Sequence, residues 1–381
     1  MSTEIIAFIR ELYATNDFIP LHAPVFYGNE TKYVTQALQS TFVSSVGKFV
    51  DQFEQSIENY TDSPKAVATV NGTAALHTAL CLSGVGQNDL VITQALTFVA
   101  TCNAISYLGA EPLFIDVSKN SLGLSPQAVR EYLEEFACLD DDGICFHKET
   151  NQKIKAVIPM HTFGHPVELD ELQEVCNIWH LILIEDAAES LGSFYKGQHT
   201  GTIGDFGVLS FNGNKIITTG GGGMLLTNKL ENGVKAKHLT TTAKVAHPYE
   251  FKHDELGFNY RLPSLNAALG CAQMEMLTEF IKLKRNIASE YEIFFNNSDY
   301  TFVKEPIYAK SNYWLNAVIC PNYASRTQLI ELTNEAGVMT RPVWTLMHKL
   351  PMYRDSLRGN LSVSEWLESH LVNIPSSVIK P

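Results

Sequence analysis

The sequence predicts an α/β fold: a mostly parallel sheet covered by helices, followed by a smaller α+β domain. Three observations predict it. Apolar runs of strand length alternate with helical patterns from about residue 66 to 227, these runs are apolar throughout, and after about residue 254 the pattern changes to one long helical stretch. Unbroken apolar runs belong to strands buried on both faces, and alternation with helices supplies the crossovers that keep strands parallel. The expected division is a large domain over residues 1–253 with an N-terminal helical extension, and a small C-terminal domain over 254–381.

In chain order, the first ten residues mix charges into an apolar pattern and read as a short amphipathic helix. They lack the basic start and small-residue cleavage site of a signal peptide. Strands are expected at 66–70, 90–93, 112–116, 154–159, 181–184, 208–211 and 224–227, with helices at 74–82, 98–107, 125–136 and 169–179. Ligands of such a sheet sit beyond the C-terminal ends of its strands. A helix from 264 to about 295 then leads into a strand at 314–320, a helix at 326–336 and a strand at 338–343.

With 381 residues and 45% hydrophobic content, the chain can bury a large core. Its formal charge of -13 leaves no basic stripe to neutralise nucleic-acid phosphates, so any phosphate must be held locally. No apolar run reaches the roughly 18 residues that span a bilayer, and no membrane association is expected. The seven cysteines are scattered without a C-x-x-C pair, as reduced thiols in a cytoplasmic protein would be.

Four features carry chemistry. Lys215 lies between a short apolar strand and four consecutive glycines, Gly220 to Gly223. A lysine in a site that lowers its pKa forms a Schiff base with an aldehyde, although a lone lysine beside a glycine loop is ordinarily a surface residue. The strand ending at Val70 runs into Asn71-Gly72-Thr73-Ala74, a glycine turn and helix start whose amides and Thr73 hydroxyl form an anion site, or simply a helix cap. This turn has neither Walker nor G-x-G-x-x-G spacing. At the end of another buried strand, Asp186 and Glu189 point toward the ligand crevice, where an acid can hold a ring nitrogen protonated. Phe98 follows a strand and can stack on a planar ligand, or belong to the core. Together, with Ser210 joining the anion site, these parts meet the needs of pyridoxal 5'-phosphate.

The motifs Asn71-Gly-Thr-Ala-Ala-Leu76, Ile184-Glu-Asp-Ala-Ala-Glu-Ser-Leu-Gly192, Gly204-Asp-Phe-Gly-Val-Leu-Ser-Phe211 and Gly257-Phe-Asn-Tyr-Arg-Leu262 make the sequence resemble the DegT/DnrJ/EryC1/StrS sugar aminotransferases. The resemblance runs from Ile19-Pro-Leu-His-Ala-Pro-Val25 to Arg341-Pro-Val-Trp344. It implies a fold-type I, aspartate-aminotransferase-like architecture. It also implies pyridoxal 5'-phosphate bound as an aldimine on Lys215, pyridoxamine phosphate as the intermediate form, and no metal. Asp186 would pair with the pyridine nitrogen, and Glu189 would sit near the phenolic oxygen, where many relatives carry Gln. Gly72, Thr73, Ala74 and Ser210 would hold the phosphate, with Asn259 reaching it from a neighbouring subunit, which implies a homodimer with shared sites. Phe98 would stack on the ring.

Within the family, the run Ser210-Phe-Asn-Gly-Asn-Lys-Ile-Ile-Thr-Thr-Gly-Gly-Gly-Gly223 is similar to the branch acting on nucleotide-linked N-acetylated sugars. The segment from Ser40 to Glu54 is similar to the LegC group associated with legionaminic acid-type sugars. The implied reaction moves an amino group from glutamate to C4 of a nucleotide-linked 4-keto-6-deoxy-N-acetylhexosamine. Lys48, Arg261 and Arg341 are candidates for diphosphate or donor-carboxylate contacts, and His161, Tyr260, Trp344 and His348 for sugar or base. The alternatives are another pyridoxal phosphate enzyme of this fold, such as a transaminase for a different ketosugar carbon, and a non-enzymatic protein retaining the fold. A 3-dehydratase of this family would carry His at the position of Lys215.

Overall fold

A computed structural model describes residues 1–45 and 47–379; Val46, within the segment compared with the LegC group, lies outside them. The large sheet has seven strands in the order Lys65–Thr69, Gly223–Thr227, Phe206–Ser210, Ile182–Asp186, Ile154–Ile158, Leu90–Gln94, Glu111–Ile115. Gly223–Thr227 runs antiparallel to both of its neighbours, and the four pairings from Phe206–Ser210 outward are parallel. All seven expected strands are present, each within two residues of its expected bounds. Leu90–Gln94 and Gly223–Thr227 are buried at every position, as expected of strands covered on both faces. The loop at Gly201 packs directly on the sheet, since a Cβ at Gly207 would lie 2.0 Å from the Gly201 carbonyl oxygen.

The six strands of common direction end on one edge. There the chain turns at Asn71, Phe98, Met160, Asp186 and Ser210, while the antiparallel strand begins there at Gly223. Helix Gly72–Leu82 starts two residues after its strand, with the Asn71 side chain as N-cap.

Helix Ser264–Phe295 ties two cores together. Its first half packs Ala267, Leu277 and Phe280 into the core beneath the large sheet, and its second half packs Ile287, Tyr291 and Phe295 into another core. The second core lies on an antiparallel sheet of four short strands, ordered Thr301–Phe302, Asn316–Ile319, Leu371–Ile374, Arg341–Pro342.

Two expectations change here. Helix Ser2–Leu12 buries Ile5 and Ile9 in this second core, with Phe8 stacked on Phe294 at 4.1 Å, so the N-terminal extension packs with the C-terminal layer instead of the large sheet. The strand expected at 338–343 is broken up: Val338 makes an isolated parallel bridge with Ile19, and pairing within the four-stranded sheet covers only Arg341–Pro342, where Pro342 has no N–H to continue the ladder. No helix of the described residues is long and apolar enough to cross a membrane.

Candidate functional site

The shared strand edge opens into a cavity of about 360 Å³. Its lining gathers Gly72, Thr73, Phe98, Asp186, Glu189, Ser210, Lys215 and Trp344 from five separate stretches of chain. Asn71 Oδ1 accepts the Ala74 N–H at 2.8 Å, which fixes the helix start. Gly72 and Thr73, whose amides also belong to that first turn, line the cavity. Two glycines are closely packed around this turn, and at Gly223 no Cβ fits. A Cβ on Gly72 would meet the Ser210 Cβ at 3.2 Å, and one on Gly223 would sit 2.4 Å from the Asn71 backbone.

Asp186 ends its strand almost fully buried, 3% exposed. Its Oδ2 accepts the Thr101 hydroxyl at 2.6 Å and its Oδ1 the Ala188 N–H at 3.2 Å. Burial pushes the carboxyl up from its ordinary range, and these two donors together with the charge of Lys215 pull it back. One turn on, Glu189 accepts the Phe163 N–H on Oε2 at 2.9 Å and faces Lys215 Nζ from Oε1 at 3.4 Å. Burial raises its carboxyl too, opposed chiefly by Lys215.

Lys215 sits on the turn after strand Phe206–Ser210, its N–H donating to the Asn212 carbonyl at 3.0 Å. Its ammonium lies 4.0 Å from the centre of the Trp314 ring. Phe98, half exposed, forms the rim with Trp344, their rings edge to face at 6.5 Å. An amine, an amide-lined helix start and a buried acid around one cavity fit a planar, phosphorylated aldehyde with a basic ring nitrogen.

Other expected residues lie elsewhere. Ala74 does not line the cavity, and its N–H is occupied by Asn71. His161 is a correction: it is wholly buried, Nε2 lies 3.0 Å from Glu185 and Nδ1 accepts the Val167 N–H, so it braces the sheet and lines no part of the cavity. Lys48 lies over Phe49 in a separate groove, and the Tyr260 hydroxyl meets His77 at 3.2 Å. Arg341 is exposed and bonded to Asn334, Arg261 is exposed beside Thr69, and His348 lies 3.7 Å from Glu365. Asn259 is exposed and outside this chain's own cavity. Among the seven substrate candidates, Trp344 alone lines it.

Sequence reasoning missed Trp314, Thr101 and Met160 as parts of the site. Trp314 headed an apolar run and read as the start of a strand. Thr101 had no local signal, because its partner Asp186 is 85 positions away.

Residues 26–379 match the model of the DegT/DnrJ/EryC1/StrS aminotransferase family. EpsN of Bacillus subtilis, assigned as a pyridoxal phosphate-dependent aminotransferase, is 36% identical over 340 residues, 89% of this chain and 84% of EpsN. The GDP-perosamine synthase of Escherichia coli O157:H7 is 34% identical, over 94% of this chain and 93% of that enzyme. Among solved structures, the aminotransferase TlmJ from Streptoalloteichus hindustanus superposes with a TM-score of 0.85 at 26% identity, covering 94% of this chain and 93% of TlmJ.

Proposed function

The chain belongs to the DegT/DnrJ/EryC1/StrS aminotransferase family, whose cofactor is pyridoxal 5'-phosphate, and on that premise we propose that it aminates a nucleotide-linked sugar. The specific reaction is transfer of the amino group of glutamate to C4 of a 4-keto-6-deoxy-N-acetylhexosamine, toward a diamino or legionaminic-type bacterial surface sugar. The observation that carries the reading is the convergence of Lys215, Asp186 and Glu189 in one cavity beside the helix start at Gly72. A sugar nucleotide is favoured by the similarity to a synthase whose product, GDP-perosamine, is itself a nucleotide-linked amino sugar.

Bound here, the cofactor supplies an electrophilic aldehyde and an electron-poor ring that takes up the electron pair left when a C–H bond breaks. Lys215 would bind its aldehyde carbon, Asp186 hold its ring nitrogen protonated, and Glu189 lie near its phenolic oxygen. Gly72, Thr73 and Ser210 would hold its phosphate, and Phe98 would cover its ring. Asp186 suits its part because Thr101 and Ala188 fix both carboxylate oxygens. Lys215 Nζ moves the proton, taking it from Cα of glutamate in one half-reaction and delivering it to C4 of the sugar in the other. Glu189, 3.4 Å from Nζ, keeps the amine within the cavity while it carries that proton.

Trp344 at the rim would meet the sugar. Lys48, Tyr260, Arg261, Arg341 and His348 line no part of this chain's own cavity, so in this reading they act across a subunit boundary or not at all. The same holds for Asn259 as a phosphate contact, which makes a homodimer the working unit. Incubating the purified protein with cofactor, glutamate and a panel of UDP- and GDP-linked 4-ketosugars tests the proposal. The expected result is 2-oxoglutarate together with an amino sugar, fastest for N-acetylated substrates. If free keto acids were aminated and no member of the panel was, the sugar assignment would fail.

A further inference from the structure

Trp314 is one of the cavity residues to which the proposed reaction assigns no part. It comes from the C-terminal half of the chain, on the turn before strand Asn316–Ile319, and is 4% exposed. Two contacts tie it to Lys215. The indole face lies 4.0 Å from Lys215 Nζ, and the indole Nε1–H donates to the Asn214 carbonyl at 2.7 Å. The first touches the amine, and the second touches the turn that carries it.

The turn holding Trp314 is itself fixed. The Trp314 N–H donates to Asn312 Oδ1 at 2.8 Å, and Asn312 Nδ2 donates to the Glu189 and Leu191 carbonyls, each at 2.9 Å. Between them Tyr313 takes a left-handed backbone, φ 48°. One short turn therefore anchors both the indole on one side of Nζ and the backbone of Glu189, whose carboxylate lies 3.4 Å away on Nζ. His22 is the next ring beyond the indole, 6.4 Å away, with both ring nitrogens buried. Burial and the charges of Lys284 and Lys215 keep it well below its ordinary value, so it remains neutral. The indole thus has an ammonium against its face and no competing cation on the histidine beside it.

We propose that Trp314 is a positioning residue for Lys215, holding the free ammonium against its ring and, through Nε1, the turn that carries it. The inference rests on Lys215 being the lysine that binds the cofactor. An aromatic face attracts the charged amine and leaves the neutral amine almost unaffected, and the attraction is strongest for indole and stronger where water is scarce. Replacing the ring therefore costs the protonated form more than the neutral form.

The test uses the full chain freed of cofactor. Only a neutral amine acylates, so pulse labelling with acetic anhydride across pH, read by mass on the Lys215 peptide, gives a midpoint for that lysine. Trp314→Leu is expected to lower this midpoint by between about 0.4 and 1.5 pH units. Trp314→Phe, with a weaker ring and no N–H, is expected to fall between the parent and the Leu variant. The exposed Lys282 serves as the control, and its midpoint should not move. Equal midpoints in the parent and either folded variant overturn the proposal, as does a Phe shift as large as the Leu shift. Should the Leu variant not fold, the Phe variant decides alone: a downward shift supports the role of Trp314 and no shift overturns it. Borohydride reduction of the cofactor-loaded parent, with peptide mass, separately locates the covalent link. A link on another lysine overturns the functional reading, whereas unmoved midpoints overturn the role of Trp314.

Discussion

Lys215 and Lys284 are both screened from water, one at the strand edge of the large sheet and the other midway along helix Ser264–Phe295. The Lys215 side chain keeps 13% exposure into a cavity, with Glu189 at 3.4 Å and an indole at 4.0 Å. Lys284 has no exposure at all, and its ammonium donates to the Ser376 carbonyl with no carboxylate partner among the described residues. Burial alone pushes Lys284 down to about 7. The lysine whose amine burial depresses thus stands outside the cavity. Desolvation makes an amine reactive only in principle, and chemistry requires a cavity, an acid and an anion site around the same atom.

The sharpest way to break this comparison is to remove each amine in turn. Lys215→Ala is expected to lose the covalent link to the cofactor and to lower turnover by about 10³-fold or more, because proton transfer and covalent attachment go together. Reduction with borohydride followed by intact mass, beside a steady-state assay, reads both. Retention of the link with normal turnover would move the chemistry to another lysine, and Lys284 would be the first to examine. Asp186→Ala is next, at about 10²-fold in turnover, by analogy with removing one fixed electrostatic partner at a reacting group. Its cofactor should remain attached through Lys215, so a variant with unchanged turnover would remove Asp186 from the ring nitrogen.

The strand-edge region was far more legible in the sequence than the second core. Seven strands announced themselves as unbroken apolar runs, and the residues after them had to face the crevice once the strands were parallel. Asp186, Lys215 and the turn at Gly72 follow from that rule together with side-chain chemistry. The second core was obscure for a physical reason. Its small sheet is built from strands of two to four residues, one of them ending in Pro342, and periodicity has little to act on at such lengths. Helix Ser2–Leu12 showed its apolar face plainly, yet a face does not say which core it will join. Trp314 and Thr101 fail on sequence distance, since they touch their partners across 100 and 85 positions. His161 misled because a polar residue after a strand is expected at the ligand, whereas here Glu185, on the opposite face of the strand from Asp186, claims it.

Lys284→Met sharpens the other side of the comparison, since methionine fits a similar volume without the amine. Turnover should stay within about twofold, because the change lies outside the cavity. The effect appears in stability against pH. The amine is depressed to about 7 in the folded chain and returns to its ordinary value near 10.5 when unfolded. Between these values the unfolded chain binds the extra proton, so the stability of the parent rises with pH through that window and is flat below it. Denaturant melts at pH 7 and pH 9.5 should show the parent gaining on the Met variant by a few kcal/mol, on the order of the shift itself. Parallel pH dependence in the two proteins would mean that the buried ammonium finds compensation beyond the Ser376 carbonyl.

The smallest effect concerns the helix start that would hold the phosphate. Asn71 Oδ1 takes the Ala74 N–H, so Asn71→Ala removes an N-cap and leaves that donor open. Loss of such a cap costs about 1 kcal/mol, and Asn71→Ser, which can cap in the same way, should cost much less. The informative quantity is how this loss changes when the cofactor is bound. If the phosphate rests at the turn of Gly72 and Thr73, it becomes an acceptor for the freed Ala74 N–H, and the loss in the loaded protein should be smaller than in the cofactor-free protein. Thermal melts of parent, Ala and Ser variants, each with and without cofactor, compare the two. An identical loss in both states would place the phosphate away from the helix start. The strand edge would then differ from the second core by its acids and its cavity, with no anion site between them.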